Sequence, residues 1–381
     1  MMKFHALHKI IALCSFIFML LYLSGLAAPA YAEEIGAALK PVFQRHMDTG
    51  GVYSAAISSD GRYMAVGRTN IFELWDIVKG GEGKITECHG LRDITSLQFS
   101  PDGRFLAVGG YRTIEIWSLP ERTLFKRIEG YGDYITLLTF SQDGRFLAAG
   151  SRGLSHAIRI WEVSSGRVSK TLDWDWKYAD DVRAMAFSYD GLKLASVAMD
   201  NIIRIWDVRS GMVEMSLNKE QTEIPVSLSL SPDGEVLAAG TTHGGITLWR
   251  LSGGSVIRHI DAHRGPVPSV RFSKDSRRVV SAGIDKRILS WDINTGISTD
   301  EKLINQDAES LALSGDGKVV LTVARGEVSS YRITEQGGVP PVVAILYPSD
   351  RQTVHKPQVT ISVRIVDDNG IVDVSVELNG A

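Results

Sequence analysis

The sequence predicts an all-β fold: a β-propeller of seven four-stranded blades, followed by the beginning of a β-sandwich. Two observations carry this prediction. A cassette of an apolar residue, Ser, one further residue, Asp and usually Gly recurs seven times along the 381 residues. A strand centred on an aromatic residue, Trp in all copies but one, follows each cassette at an almost fixed distance. Repetition with a period near 40 residues is typical of propellers and solenoids.

The first anchor of the repeat is the apolar-Ser pair together with its Asp. The pairs are Ile57-Ser58 with Asp60, Phe99-Ser100 with Asp102, Phe140-Ser141 with Asp143, Phe187-Ser188 with Asp190, Leu230-Ser231 with Asp233, Phe272-Ser273 with Asp275 and Leu313-Ser314 with Asp316. Gly follows the Asp in six copies, and Ser276 follows it in the other. Asp-Gly favours the positive φ of a tight hairpin, so each cassette predicts a turn between two antiparallel strands.

The second anchor is a buried aromatic residue in the third strand of each copy. These residues are Trp75, Trp117, Trp161, Trp206, Trp249, Trp291 and Tyr331, at intervals of 40 to 45 residues. The surrounding segments are short and rich in β-branched and aromatic residues, which predicts a meander of strands in each copy. Helical repeats are excluded because no apolar stripe with a 3.6-residue period is present. A lone meander cannot bury both faces, so the copies are expected to stack and close into a ring.

The third strands of three copies carry Trp-Asp, at 75–76, 206–207 and 291–292, and the chain resembles the WD-repeat (WD40) family over roughly residues 41 to 333. The resemblance implies a hydrogen-bonded tetrad of His, Ser, Asp and Trp within a blade. The sixth copy matches all four positions, at His263, Ser281, Asp285 and Trp291. The fourth copy keeps Ser196, Asp200 and Trp206 and has Tyr178 in the His position.

The seventh copy lacks one strand of its own. Its strands are expected at 310–314, 319–324 and 327–333, before a linker at 334–341 that contains Gly337-Gly338 and Pro340-Pro341. We expect the fourth strand to come from the N-terminal side, near 41–44. Pro41 is compatible with this position because an outermost strand has one unpaired edge.

The first 32 residues have the pattern of an export signal. Lys3 and Lys9 precede an apolar run from Ile10 to Leu26. Ala30-Tyr31-Ala32 follows as a small-x-small cleavage site. We expect cleavage after Ala32 and a periplasmic or secreted protein. The alternative is an uncleaved membrane anchor, which is the only membrane contact that the sequence suggests.

The net charge, the cysteine content and the histidine spacing bear on the possible partners and metal sites of the chain. The formal charge is -3, and removal of Lys3 and Lys9 with the signal makes it -5, which gives no support to a nucleic-acid partner. Cleavage leaves Cys88 as the only thiol, which we interpret as a small buried hydrophobic residue. The His residues show no metal-ligand spacing, so no cofactor or metal is expected.

Residues 342–381 are expected to form a second all-β domain. Val359, Ile361, Val363 and Ile365 alternate along one strand, and residues 372–378 alternate along the next. The segment resembles the start of an immunoglobulin-like sandwich. A sandwich normally needs about 100 residues and seven strands, so the chain is expected to be truncated. In some exported bacterial proteins with WD repeats and such a module, a caspase-like peptidase domain follows.

Function is expected where one copy departs from the others. The loop 151–157 is longer than its equivalents in the other copies, and the connection 173–181 contains the only two Trp residues outside the repeat register. Both are expected on one rim of the propeller, between blades three and four. The candidate partner-binding residues are Arg152, His156, Trp174, Trp176, Tyr178, Asp180 and Asp181. Alternatively, both Trp side chains fold back onto the blade.

Catalytic signatures are absent: there is no Gly-x-Ser-x-Gly elbow, phosphate loop or His-Glu-x-x-His motif. The carboxylates of 173–181 do not match a calcium loop. We therefore expect a non-catalytic scaffold that binds a protein or peptide, with no catalytic residues. Two alternatives remain open: a regulatory region of a longer protein with a downstream peptidase-like domain, and a hydrolase whose site lies at the channel mouth.

Overall fold

The structure is a computed structural model. It describes residues 43–46, 52–78, 84–89, 91, 93–151, 158–173, 181–218, 223–304, 310–314, 319–324, 327–332, 342–347, 358–367 and 370–379. This part of the chain is all-β, with thirty strands, β1 to β30. Within these residues, the search for a membrane-crossing helix of sufficient length and apolarity finds none.

Five of the sheets in the described ranges have four antiparallel strands each. The sheet of the first repeat contains β2 (Ser54–Ile57), β3 (Tyr63–Gly67), β4 (Ile71–Asp76) and β5 (Lys84–His89). The fourth repeat forms β13 (Val182–Phe187), β14 (Lys193–Ala198), β15 (Ile203–Asp207) and β16 (Val213–Leu217). The fifth forms β17 (Pro225–Leu230), β18 (Val236–Thr241), β19 (Gly245–Arg250) and β20 (Val256–Asp261). The sixth forms β21 (Ser269–Phe272), β22 (Arg278–Ala282), β23 (Arg287–Asp292) and β24 (Ser298–Leu303).

The seventh repeat combines strands from both ends of the repeat region. β25 (Ser310–Leu313), β26 (Val319–Ala324) and β27 (Glu327–Arg332) are joined by β1 (Phe43–His46). β1 pairs antiparallel with β27, with Phe43 opposite Ser330 and His46 opposite Glu327. The N-terminal strand therefore begins two residues later than the expected segment 41–44.

The second and third repeats share one strand, which the repeat pattern does not predict. β6 (Ser96–Phe99), β7 (Phe105–Gly109), β8 (Tyr111–Ser118), β9 (Thr123–Phe140), β10 (Phe146–Ser151), β11 (Ile158–Glu162) and β12 (Arg167–Leu172) form one seven-stranded sheet. β9 is the last strand of one repeat and the first of the next. The middle of β9 remains paired because β8 already begins at Tyr111, which stands opposite Tyr134 of β9.

The first strands of the repeats contact each other in cyclic order. β2 contacts β6, β6 contacts β9, and the series continues through β13, β17, β21 and β25 back to β2. Each first strand is also an edge of its own sheet, apart from the shared β9. The sheets are thus arranged as in a propeller, with their first strands at the centre.

The Ser of each cassette closes the first hairpin of its sheet. Its Oγ accepts a hydrogen bond from the backbone N–H five residues later, at 2.8–2.9 Å in all seven copies. In six copies the hydroxyl also donates to the cassette Asp, at 2.5–2.6 Å. The following Gly has a positive φ, for example +70° at Gly103, which is why Gly is favoured there.

The tetrad side chains of the sixth repeat are joined by hydrogen bonds. Trp291 Nε1 donates to Ser281 Oγ at 3.0 Å, Ser281 Oγ lies 2.8 Å from His263 Nε2, and His263 Nδ1 lies 2.8 Å from Asp285 Oδ1. A carboxylate only accepts and an indole only donates, so a neutral imidazole with its proton on Nδ1 satisfies the whole chain. Burial lowers the pKa of His263, against the opposing effect of Asp285. In the fourth repeat, Trp206 Nε1 donates to Ser196 Oγ at 2.8 Å.

The first two repeats satisfy their Trp in a different way, which sequence reasoning missed. Trp75 Nε1 donates to Glu73 at 3.3 Å, and Trp117 Nε1 donates to Glu115 at 3.0 Å. Both carboxylates are buried and each also accepts from an arginine, Arg68 or Arg127. In the sequence, this Glu acceptor is indicated by a Glu two residues before the Trp, in the segments FELW and IEIW.

Apolar side chains fill the spaces between neighbouring sheets. The cluster between the fifth and sixth sheets includes Ile246, Val267, Val270 and Trp291. Small residues at the end of the second strand allow this approach: a Cβ added to Gly240 would lie 2.7 Å from the carbonyl oxygen of Val267. That distance is shorter than any normal contact, so the sheets depend on Gly there.

Residues 342–379 contain a separate three-stranded sheet of β28 (Val342–Tyr347), β29 (Gln358–Asp367) and β30 (Gly370–Asn379). The two alternating apolar rows stand directly opposite each other, with Val359 opposite Leu378 and Ile365 opposite Val372. The backbone register therefore pairs the two alternating segments residue for residue.

We predict that His263 makes stability depend on pH. Because burial holds its folded-state pKa below the unfolded value, the unfolded chain binds the proton first as pH falls. The free energy of unfolding should decrease between about pH 7 and pH 5, and His263→Gln should reduce this slope. Denaturant unfolding across this pH range measures it. The control is His243→Gln at an exposed position; equal slopes in wild type and His263→Gln would contradict the prediction.

We also predict that Gly240→Ala destabilises the protein by about 1–3 kcal/mol, because the new methyl group overpacks the junction with Val267. Gly103→Ala is the matched control, since no atom lies within 4 Å of its added Cβ. It measures the cost of positive φ alone, roughly 1–2 kcal/mol. Equilibrium unfolding in urea compares them. An unchanged urea midpoint for Gly240→Ala would contradict the prediction, because it would show that the two sheets can move apart without a loss in the free energy of unfolding.

Candidate interaction face

One end of the sheets collects the hairpins between second and third strands and the connections between successive sheets; we call it the connecting face. Antiparallel order requires both kinds of segment to emerge at the same end of each sheet. Backbone hydrogen bonds join them directly. Ile135 N–H donates to Gly110 at 3.2 Å, Val267 N–H to Thr241 at 3.0 Å and Ile304 N–H to Lys286 at 2.9 Å. The loops therefore form one continuous surface.

Backbone strain in the described residues concentrates on the connecting face. Seven non-glycine residues have positive φ, and five of them lie there: Asp93 at 54°, Arg112 at 61°, Asn201 at 59°, Asn218 at 57° and Lys286 at 68°. Asn and Asp tolerate this region, but Arg and Lys rarely adopt it. Such residues cluster at binding sites, where a fixed backbone holds the side chain in position.

A pair of tyrosines, Tyr111 exposed and Tyr134 half-buried, lies on the connecting face between the second and third repeats. The rings of Tyr111 and Tyr134 are 5.0 Å apart between centroids and tilted by 56°. The Arg112 guanidinium lies 6.0 Å from the Tyr111 ring centroid, and Tyr134 Oη donates to Asp93 Oδ2 at 3.4 Å. The negative charge of Asp93 raises the pKa of Tyr134, so the phenol stays protonated.

The pair offers apolar ring surface with polar groups at its edge. Tyr111 is 39% exposed, although both residues lie in a paired part of the sheet. Their backbones are held by strand pairing, so little order has to be gained on binding. Rigid, partly exposed Tyr side chains beside Arg are the usual anchors of a protein interface.

Six of the seven partner-binding candidates lie outside the described residues: Arg152, His156, Trp174, Trp176, Tyr178 and Asp180. Asp181 is described and half-buried, directly before β13. The ends of the two candidate segments can be located. Ser151 stands opposite Ile135, Ile158 stands opposite Leu172, and a Cβ on Gly150 would touch Val182 at 2.8 Å. Both segments therefore start and end on the connecting face of the third and fourth repeats.

Tyr111, Arg112 and Tyr134 were missed because sequence reasoning looked for unusual spacing. The spacing of the second repeat is ordinary. The available signal was composition: Gly-Tyr-Gly-Asp-Tyr at 130–134 places two tyrosines in a connection between sheets. Because Ser151 stands opposite Ile135, Tyr134 lies next to the strand end from which the segment 152–157 departs.

Metal ligands do not converge in the described part of the chain, where no group of three or more His, Cys, Asp and Glu side chains has suitable geometry. His243, His259 and His263 each have a different partner. His263 is engaged by Ser281 and Asp285, His259 contacts Thr247, and His243 contacts Thr242. What the connecting face offers is therefore ring surface, charge and rigid backbone.

Comparison with known proteins identifies the repeats. The family model "WD domain, G-beta repeat" matches residues 38–76, 82–118, 122–162, 170–207 and 254–292. Each matched range ends on the third strand of its sheet, one residue after the Trp of that repeat. Together the five ranges cover half of the chain.

Curated relatives are also WD-repeat proteins. The chain is 34% identical to WD repeat-containing protein SL1-17 of Schistosoma mansoni over 146 residues, which are 38% of this chain and 47% of the relative. It is 24% identical to the Target of rapamycin complex subunit wat1 of Schizosaccharomyces pombe over 174 residues, 45% of this chain and 54% of the relative. The matches thus span about half the length of these relatives.

The family match, the repeated Ser and Trp hydrogen bonds and the propeller arrangement of the sheets agree. The chain belongs to the WD40-repeat family.

Proposed function

We propose that this protein is a non-catalytic scaffold that binds a protein or peptide partner on its connecting face. The observation that carries the proposal is the pair of exposed Tyr111 and half-buried Tyr134, with ring centroids 5.0 Å apart, beside the positive-φ residue Arg112. A rigid aromatic anchor with adjacent charge suits recognition of another polypeptide.

The proposed surface extends from this pair across the rim of the third and fourth repeats. It includes Arg152, His156, Trp174, Trp176, Tyr178, Asp180 and Asp181. Support comes from the described strand ends: Ser151, before the first segment, stands opposite Ile135 and so lies near Tyr134, and Val182, after the second segment, lies 2.8 Å from a Cβ built on Gly150. The mixture of Arg, His and Asp with aromatic rings favours a partner segment that carries both charge and apolar groups.

The comparisons support a role in assembly. The name of one relative describes it as a subunit of a complex, and proteins with WD40 repeats typically act through protein partners. We extend that role to this chain. A nucleic-acid partner is not proposed, since the formal charge is -3.

We further propose seven blades in a ring latched by its two ends. The pairing of β1 with β27 and the contact of β25 with β2 support closure. In the same scheme, residues 1–32 direct export to the periplasm or the medium. Residues 342–381 begin an immunoglobulin-like module that the strands β28 to β30 would initiate.

We predict that the aromatic residues of this surface are required for partner capture. Trp174→Ala with Trp176→Ala, and separately Tyr111→Ala with Tyr134→Ala, should each reduce the recovery of copurifying proteins at least about tenfold, as expected for loss of interface anchors. Affinity purification from the envelope fraction followed by quantitative mass spectrometry measures this recovery.

The matched control for that experiment is Tyr189→Ala. Tyr189 is 59% exposed but lies in the β13–β14 hairpin, at the opposite end of the sheets. It should leave recovery unchanged. Equal recovery by the wild type and both double variants would remove the connecting face as the binding surface.

We predict that the exported protein begins at Glu33. Intact-mass measurement of protein from the periplasm should show loss of residues 1–32, since signal peptidase requires small side chains at Ala30 and Ala32. Ala32→Tyr should retain the segment, whereas Tyr31→Phe should be processed normally. A full-length mass for the wild-type protein in the cytoplasm would refute export.

A further inference from the structure

Each first strand, at the centre of the propeller, has one position directly before its apolar-Ser pair; we call these seven positions the inner ring. The inner ring consists of Ala56, Gln98, Thr139, Ala186, Ser229, Arg271 and Ala312. Five of these side chains are Ala, Ser or Thr, and Gln98 Nε2 donates to the carbonyl of Phe99 at 3.2 Å. Arg271 is therefore the only charged member.

Contacts in the fifth repeat show where an inner-ring side chain points. Ser229 Oγ accepts a hydrogen bond from the N–H of Phe272 at 3.3 Å, so this side chain reaches toward the first strand of the following sheet. In β21, Val270 and Phe272 pack into the apolar cluster between the fifth and sixth sheets. Arg271 lies between them in the strand and therefore projects from the opposite face.

Arg271 has no hydrogen bond, ion pair or ring contact to any side chain in the described residues, in contrast to Arg183, which donates to Asn201 Oδ1 at 2.6 Å. Its residue surface is half-buried, yet its guanidinium is surrounded by protein closely enough that burial lowers its pKa. This combination is expected for a side chain that lines an enclosed channel. An arginine whose charge is neither paired nor freely hydrated costs free energy in the empty protein.

The described first-strand segments of the repeats carry no carboxylate. The central segments Ser54–Ile57, Ser96–Phe99, Ile135–Phe140, Val182–Phe187, Pro225–Leu230, Ser269–Phe272 and Ser310–Leu313 contain no Asp or Glu. Their only charges are Arg183 and Arg271. These strand segments therefore carry positive and no negative charge, although the chain as a whole is negative.

We propose that the central channel binds a carboxylate group, with the Arg271 guanidinium as its anchor. A planar guanidinium matches a carboxylate with two parallel hydrogen bonds. One guanidinium neutralises one negative charge, which favours a carboxylate over the nearly doubly charged phosphate monoester. This site is independent of the proposed partner surface on the connecting face.

The test compares the wild type with Arg271→Gln, using thermal unfolding and titration calorimetry. Two probes carry the same group: sodium acetate, and a capped tripeptide with one Glu. Sodium chloride and inorganic phosphate at equal ionic strength are the reference salts. Arg277→Gln is the matched control, because Arg277 is an exposed arginine in the hairpin that follows β21.

We expect a carboxylate probe to raise the unfolding temperature of the wild type and of Arg277→Gln above the value in chloride, and not that of Arg271→Gln. Without probe, Arg271→Gln should unfold at the wild-type temperature or above it, because it removes an unpaired charge. A response to acetate assigns the site to free acids. A response to the peptide alone assigns it to an acidic side chain of a partner.

Three results would overturn the proposal. An equal response of Arg271→Gln and the wild type to both probes would show a general salt effect. A stronger response to phosphate would exclude a site selective for carboxylates. A large drop in the unfolding temperature of Arg271→Gln, with no response of the wild type, would show that Arg271 is a structural residue.

Discussion

The hydrogen bond between the cassette Ser hydroxyl and the backbone N–H five residues later is the interaction on which the architecture depends. It is present in all seven copies at 2.8–2.9 Å. It fixes the first hairpin, and with it the register between the central strand and the second strand. A shift of one residue would turn every buried side chain to the wrong face. Because the same constraint acts in each copy, the sheets present matching surfaces and can stack.

Stacking imposes two further requirements, and the copies meet them with different residues. The approach of neighbouring sheets requires a small residue at the end of the second strand, as Gly240 shows. The buried Trp requires an acceptor for its indole N–H, since an unpaired donor there costs about 1–3 kcal/mol. Ser281 with His263 meets this need in the sixth repeat, and Glu115 with Arg127 meets it in the second. The physical requirement is constant while the side chain that satisfies it varies.

This division explains where the protein is free to specialise. The hairpins at the opposite end of the sheets carry the cassette and repeat closely. The connecting face carries loops of different length, five strained non-glycine residues and the pair Tyr111 and Tyr134. The repeated hairpins and the variable connecting face thus lie at opposite ends of the sheets.

The sequence by itself determined the all-β class, the positions of the first hairpins and the residues of the sixth-repeat hydrogen-bond chain, because turns and the repeat pattern are local and recur with a fixed period. Only the tertiary structure decided that β9 runs through two repeats, that Glu73 and Glu115 accept from Trp, and that Tyr111 meets Tyr134. Each of these contacts depends on which strands become neighbours in space. The spacing of residues along the chain does not give the distance between two strands. The same holds for Arg271: its place before a Phe-Ser pair is plain in the sequence, but its lack of a partner among the described residues follows from the residues that surround it in space.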